Sequence, residues 1–161
     1  MNQVKAQAWF EQPCETLAEC IEVRRLTRQP LLLDECLSNF DDHLSAWKQH
    51  ACQGVKIKPN RLGGLTRARQ ARDFGIEVGW QMPLEDVGGT VIADTVAAHL
   101  ALSTPETHRM TCWLCQEHVM DDPAPGQGAR NMDGQTSLTD APGIGVEPTE
   151  DWLGEPCAVY E

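Results

Sequence analysis

The stretch that most constrains this chain is Leu31-Leu32-Leu33-Asp34-Glu35. Three consecutive leucines after Pro30 read as a short buried strand, and the strand stops abruptly at two carboxylates. An unpaired buried carboxylate is very costly, so the fold must bring something to the strand end that neutralises the charge. The same order is found on either side. Ala8-Trp9-Phe10 runs into Glu11-Gln12-Pro13, and Val55-Lys56-Ile57-Lys58 runs into Pro59-Asn60. Glu11, Asp34 and Lys58, two acids and a base, are 23 and 24 positions apart, the length of one strand plus one helix. A βα barrel distributes its chemistry in this way, with reacting groups at the C-terminal tips of different parallel strands.

The segments between these tips read as helices. One is predicted over 15–28, where Leu17, Cys20, Ile21 and Leu26 form an apolar stripe and Pro30 enforces the stop. A second is predicted over 41–52, capped by Asp41 or Asp42, with Leu44 and Trp47 facing inward and Gly54 beyond its end. Gly63-Gly64 allows a tight turn before a third helix over 65–74, whose outer face carries Arg67, Arg69 and Arg72 and which closes at Gly75. Residues 76–80 read as a strand, followed by a loop with Glu85-Asp86 and Gly88-Gly89. The most apolar helix spans 90–103, and 109–114 is a last strand candidate. Strand and helix thus alternate about five times, which calls for an α/β fold with a parallel sheet and right-handed crossovers. Residues 1–120 divide off as βα units and 121–161 as an irregular tail packed on them. Turn chemistry marks 121–146, and 149–153 has the makings of one capped helical turn.

Thirteen Lys and Arg against 24 Asp and Glu give a net charge of −11. That balance argues against nucleic acid or an anionic membrane surface as partner. No apolar run is long enough to span a bilayer, and Met1-Asn2-Gln3-Val4-Lys5 lacks the apolar core of a signal peptide. Seven cysteines, an odd number, read as reduced thiols of a cytoplasmic protein. The length of 161 residues suffices for one core, whereas a complete (β/α)8 barrel takes about 250.

Glu11-Gln12-Pro13-Cys14, Leu33-Asp34-Glu35, Ile57-Lys58-Pro59-Asn60-Arg61-Leu62-Gly63-Gly64-Leu65 and Pro142-Gly143-Ile144-Gly145-Val146 lie in an order and spacing that resemble the enolase superfamily. Within it the chain is similar to the mandelate racemase/muconate lactonizing group, and more closely to its cis-3-hydroxyproline dehydratase and hydroxyproline epimerase-like members. The likeness covers nearly the whole chain. It implies a partial (β/α)8 TIM-like barrel, about strands four to eight. The N-terminal capping domain, the third-strand aspartate and the second-strand lysine of the family have no counterpart here.

The resemblance also implies a Mg²⁺-dependent enzyme that removes the proton α to a carboxylate through an enediolate. The outcome would be racemisation, epimerisation or dehydration of a small carboxylic or amino acid such as a hydroxyproline. Carried over by motif, Glu11 and Asp34 become the metal ligands of the fourth and fifth strands, and Lys58 the acid/base of the sixth. Glu35 would stand just outside the metal shell, as a catalytic partner pairing with Lys58. Asp86, after the seventh strand, would hold the polar or ammonium end of the substrate, with Lys56 as a second substrate-binding residue. A homo-oligomer is the expected full-length form. The alternative is a catalytically inactive fragment, or a half-barrel that needs a partner chain to cover its sheet edges.

The residues by themselves admit blander readings. Glu11 and Asp34 suit Mg²⁺ because hard cations prefer carboxylate oxygens and keep waters in the remaining positions, but acids at strand ends also cap helices. Lys56 and Lys58 share side-chain parity, so a regular strand points both the same way. Lys58 ranks first as the base because it sits at the strand tip; otherwise it is a solvated lysine paired with Glu35. His99 reads as a packed helix histidine. Cys112-x-x-Cys115 with His108 and His118 has the makings of a zinc module, although thiols in a strand are ordinary packing. The five tryptophans read as core or rim packing, and the arginine face of the third helix as solvated or ion-paired.

Overall fold

The computed structural model describes residues 8–159. The first residues, expected to lack a signal-peptide core, lie outside that range. Strands β1 (Phe10–Glu11), β2 (Leu31–Leu33) and β3 (Gly54–Val55) form a parallel sheet in the order β1-β2-β3. Strands β4 (Met82–Glu85) and β5 (Arg109–Trp113) form a second parallel pair. Parallel bridges Gly54↔Gln81 and Ile57↔Leu84 join the two, with Val55 N–H donating to the Gln81 carbonyl at 3.0 Å and Ile57 N–H to that of Pro83 at 3.0 Å. The result is one parallel run, β1 to β5. Helices α1 (Leu17–Leu26), α2 (Phe40–Lys48), α3 (Leu65–Glu77) and α4 (Val91–Leu102) make the crossovers.

Because successive strand residues point to opposite faces, every strand divides its side chains. Leu31, Leu33, Val55, Ile57, Met82 and Leu84 face the helices and are fully buried in the core, with Cys20, Ala46, Ala68 and Ala71 from the helices. The alternate residues Trp9 and Glu11, Leu32 and Asp34, Lys56 and Lys58, and Pro83 and Glu85 face the other way. On that inner face four consecutive strands end in a charged residue.

Two capping boxes start the first helices. The Thr16 side chain accepts from Glu19 N–H and Asn39 from Asp42 N–H, while the acids reach back to the cap N–H groups. The cap of α2 is therefore Asn39, with Asp42 as its reciprocal partner, one turn ahead of the cap expected from sequence. This phase also decides which side is buried. His43 and Ala46 are inside, whereas Trp47 is exposed and stacks edge-on against Phe74 at 5.9 Å. Leu26, expected on the apolar stripe of α1, is 88% exposed.

His43 carries a pH dependence. Its Nδ1–H donates to the Asn39 carbonyl at 2.8 Å, while Nε2 is buried and without a partner. Burial pushes its pKa below the usual 6.5, outweighing the Asn39 hydrogen bond that favours the cation. The folded chain keeps this ring neutral while the unfolded chain protonates it, so its contribution to stability is present above pH 6.5 and is lost as pH falls below that value. Urea unfolding at stepped pH below 6.5 is expected to show stability falling by up to about 1.4 kcal/mol per pH unit, with His43→Leu flattening that slope.

The sequence placed the end of the third helix at Gly75 and a strand over 76–80; the helix instead runs through to Glu77, and the strand is Met82–Glu85. Gly75 is there for packing. A Cβ on it would lie 2.5 Å from the Met82 Sδ, so its missing side chain makes room for the strand beneath the helix. Arg72 also departs from the solvated face expected of it. It is 6% exposed and donates to the Ser103 carbonyl at 2.9 Å and to Thr104 Oγ1 at 3.1 Å, tying α3 to the end of α4.

Helix α4 holds the segments that follow it. Asp94 accepts from Cys115 N–H at 3.0 Å and Gln116 N–H at 2.7 Å, Thr95 Oγ1 accepts from Ala129 N–H at 2.9 Å, and His99 Nε2 meets the Ile144 carbonyl at 3.1 Å. Burial pushes the Asp94 carboxyl above its ordinary range despite the two N–H donors. After a short 3₁₀ turn (Gln116–His118), the stretch expected to be irregular contains a hairpin, β6 (Arg130–Met132) and β7 (Gln135–Ser137). Its turn is Asp133-Gly134, both at positive φ (52° and 77°), which is the geometry an Asp-Gly pair favours. A last turn, α5 (Glu150–Leu153), follows Thr149, whose side chain makes no cap bond. Among the described residues no helix is long and apolar enough to cross a membrane.

Candidate active site

The inner-face charges at the strand ends are joined in a single line. Lys56 Nζ lies 2.8 Å from Glu11 Oε1 and 3.1 Å from Glu85 Oε1. Lys58 Nζ lies 3.1 Å from that same Glu85 oxygen and 2.8 Å from Asp34 Oδ2, and Arg61 takes Asp34 Oδ1. Glu11, Lys56, Glu85, Lys58, Asp34 and Arg61 thus alternate in sign across β1, β2, the segment after β3, and β4. The line is neutral overall, three carboxylates against three cations. That is how the fold meets the cost of placing Asp34 and Glu85 at 1% and 4% exposure.

Burial alone would raise the Asp34 carboxyl, but the hydrogen bonds and charges of Lys58 and Arg61 outweigh it and hold it below the usual carboxylate range. Burial alone would lower the Lys56 ammonium, and Glu11 with Glu85 reverses the sign, so this lysine stays firmly protonated. Lys58, 8% exposed, is the ammonium nearest Asp34 and stands at the edge of a cavity of about 440 Å³. Glu35, Asp86, Trp113, Cys115 and His118 also line that cavity. Lys56 instead lines a second cavity of about 620 Å³, with Glu11, Leu32, Pro83 and Trp113.

Asp86 is 2% exposed, and its Oδ2 is buried with no hydrogen-bond partner. Gly89 makes its placement possible, since a Cβ there would stand 1.9 Å from that oxygen. A buried acceptor left unpaired costs the desolvation of the group, and this one is packed against Gly89.

The structure therefore brings Glu11, Asp34, Lys56 and Lys58 into one network and sets Asp86 on the same cavity as Lys58. The pairing of Glu35 with Lys58 does not form. Glu35 is exposed in the turn that follows Asp34, and Lys58 is taken by Asp34 and Glu85. Nor does the zinc arrangement form. His108 Nδ1 meets the Trp80 carbonyl at 2.9 Å, Cys115 Sγ meets the Asp86 carbonyl at 3.7 Å, and no group of three or more His, Cys, Asp or Glu among the described residues could hold a metal ion. All seven cysteines are free thiols.

Two members of the line escaped the sequence reading, Glu85 and Arg61. Glu85 had a signal, because Met82-Pro83-Leu84 running into Glu85-Asp86 repeats the pattern of Leu31–Glu35. Placing the strand six residues too early concealed it.

Strand-end charges gathered on one face of a parallel βα array define the rim at which barrel enzymes do their chemistry. A family model described as "Enolase C-terminal domain-like" matches residues 2–152, and the chain belongs to that family. The cis-3-hydroxy-L-proline dehydratase of Roseibium aggregatum is 35% identical over 152 residues, covering 94% of this chain and 41% of the relative. A solved member of the enolase superfamily from Roseovarius nubinhibens ISM superposes with a TM-score of 0.93 at 60% identity, covering 99% of this chain and 44% of that one. It has also been solved in complex with magnesium. A mandelate racemase/muconate lactonizing enzyme from the same organism superposes with a TM-score of 0.88 at 33% identity, covering 95% of this chain and 41% of that one. The chain spans about two fifths of the length of these relatives.

Proposed function

We propose that this chain forms strands four to eight of a (β/α)8 barrel, with residues 1–120 as βα units and 121–161 as a tail packed on them. In that barrel it carries the proton-transfer half of a Mg²⁺-dependent isomerase or lyase. The observation that supports the reading best is the line of alternating charges, which presents two carboxylates and a lysine from three consecutive βα units at one rim. The donor set suits the metal. Glu11 and Asp34 offer only oxygens, and two protein carboxylates with waters in the other positions match the habits of Mg²⁺. Glu11 has one oxygen free of Lys56, and a carboxylate has about four lone-pair sites, so the hydrogen bonds to Asp34 leave room for ligation.

Mg²⁺, when bound, would supply the charge that stabilises the enediolate of a substrate carboxylate. The chain's own residues do the rest. Lys58 takes or returns the α-proton at its Nζ, and Glu85 and Asp34 fix where that nitrogen stands. Lys56, held protonated, adds positive charge beside the substrate carboxylate. Asp86, on the wall of the cavity beside Lys58, holds the polar or ammonium end of the substrate, which favours an amino acid over a simple hydroxy acid. Glu35, on the wall of the same cavity, serves as a polar contact to substrate. A hydroxyproline is the substrate of choice, on the strength of the 35% identical dehydratase. The cytoplasm is the compartment in which seven unpaired thiols persist, and a homo-oligomer is the form in which the sheet edges are covered.

The test is the wash-in of deuterium at Cα of cis-3-hydroxyproline, and of 4-hydroxyproline as comparison, by the protein that carries this chain. Exchange that appears with Mg²⁺ and disappears with EDTA supports the reading. Exchange indifferent to the metal, or the absence of both exchange and dehydrated product with either substrate, overturns it. An inactive half-barrel is the second reading, favoured by the exposed strand residues of β1, and it predicts that last result.

A further inference from the structure

We infer that Gln12 is a positioning residue that fixes the main chain at Asp34 relative to Glu11, and so sets the affinity of the two strand ends for a divalent cation. The inference rests on the magnesium reading above. Glu11 and Asp34 are carried by neighbouring parallel strands in the register Phe10↔Leu31 and Glu11↔Leu32. Gln12 N–H donates to the Leu32 carbonyl at 2.8 Å, and the next rung of a parallel ladder would run from Asp34 N–H to the main-chain carbonyl of Gln12. That rung is made differently. Gln12 has φ 35°, so the main chain has turned off the ladder, and Asp34 N–H donates at 2.8 Å to the side-chain Oε1 of the same residue.

The other end of the Gln12 amide is also held, with Nε2 donating to the Cys14 carbonyl at 2.8 Å. One planar amide therefore spans from the turn after Glu11 to the first residue beyond β2. On the far side, Lys56 N–H donates to the Leu33 carbonyl at 2.8 Å, so Asp34 emerges from a strand end pinned on both flanks. The geometry requires an acceptor and a donor at opposite ends of one side chain. Glutamate would set an acceptor against the Cys14 carbonyl, and asparagine is one methylene short. A left-handed backbone on a non-glycine residue is strained. Gln12 stands immediately after a candidate ligand, and its side chain makes the rung that the main chain gives up.

The test uses the protein that carries this chain, with Mg²⁺ and Mn²⁺ as the probes. Binding of Mg²⁺ is measured by calorimetry, and of Mn²⁺ by electron paramagnetic resonance, for wild type, Gln12→Met, Gln12→Gly and Asp34→Asn, with Tm recorded for each. Removing a group that orients a metal ligand typically costs roughly 10–100-fold in affinity, and both Gln12 variants are expected to show it. Gln12→Gly relieves the positive φ, so its Tm is expected closer to wild type than that of Gln12→Met while its affinity stays low. A purely structural role would lower Tm and leave the affinity of the folded protein unchanged. Wild-type affinity in both variants, or in Gln12→Gly alone, overturns the inference and leaves the magnesium reading standing. Failure of the wild-type protein to bind Mg²⁺, or wild-type binding by Asp34→Asn, overturns both.

Discussion

Lys58→Ala is expected to suppress deuterium exchange at the substrate Cα by roughly 10²- to 10⁴-fold, the range that a positioned acid/base group contributes. The variant should remain folded. Asp34 keeps Arg61, and Glu85 keeps Lys56 at 3.1 Å, so no carboxylate in the line is left without a cation. Circular dichroism and Mg²⁺ titration then separate the loss of a proton acceptor from the loss of the site. Lys56→Ala is the informative comparison. Lys56 belongs to the same network but is assigned to the substrate carboxylate rather than to the α-proton, so its loss should weaken substrate binding more than turnover. Exchange at the wild-type rate in Lys58→Ala would rule out this lysine as the group that handles the proton.

Asp34→Ala is expected to destabilise the fold by about 3–5 kcal/mol, because removing one partner of a buried ion pair leaves the other charge uncompensated. Asp34 is 1% exposed and faces two cations, Lys58 and Arg61, whose side chains are 9% and 17% exposed. Glu11→Ala provides the contrast. Its carboxylate is 48% exposed, so breaking the pair with Lys56 should cost no more than about 1 kcal/mol. Urea denaturation at neutral pH measures both. Equal and small losses at the two positions would mean that solvent, rather than the line of charges, compensates Asp34.

The sequence was most legible where one physical rule acted alone. A buried strand cannot end in an unpaired acid, and that requirement at Leu31–Asp34 foretold a cation, which proves to be two, Lys58 and Arg61. Parity within Lys56-Ile57-Lys58 placed both lysines on one face and Ile57 in the core. The sequence was least legible where a residue type serves two purposes. Gly75 reads as a helix stop but is a clearance for Met82, and that single error moved the fourth strand and hid Glu85. Asp41 and Asp42 read as caps, whereas Asn39 takes the part and turns His43 rather than Leu44 inward. The hairpin at 130–137 was announced by Asp133-Gly134, but its strands carry polar residues that give no alternating apolar signal. The expected pairing of Glu35 with Lys58 failed because the chain turns at Glu35-Cys36, leaving that carboxylate exposed while Asp34 takes the lysine.

Helix α4 offers Asp94 to Cys115 and Gln116, Thr95 to Ala129, and His99 to Ile144, three fastenings along one face to points spread over thirty residues of chain. The apolar cluster there is small, Leu114 and Ala129 packed against Ala98 of the helix itself. Polar side chains of α4, more than apolar packing, therefore fix where these segments lie. The part of the pocket wall that carries Cys115 and His118 is thus positioned through α4, whereas Trp113 is positioned by its own strand, β5.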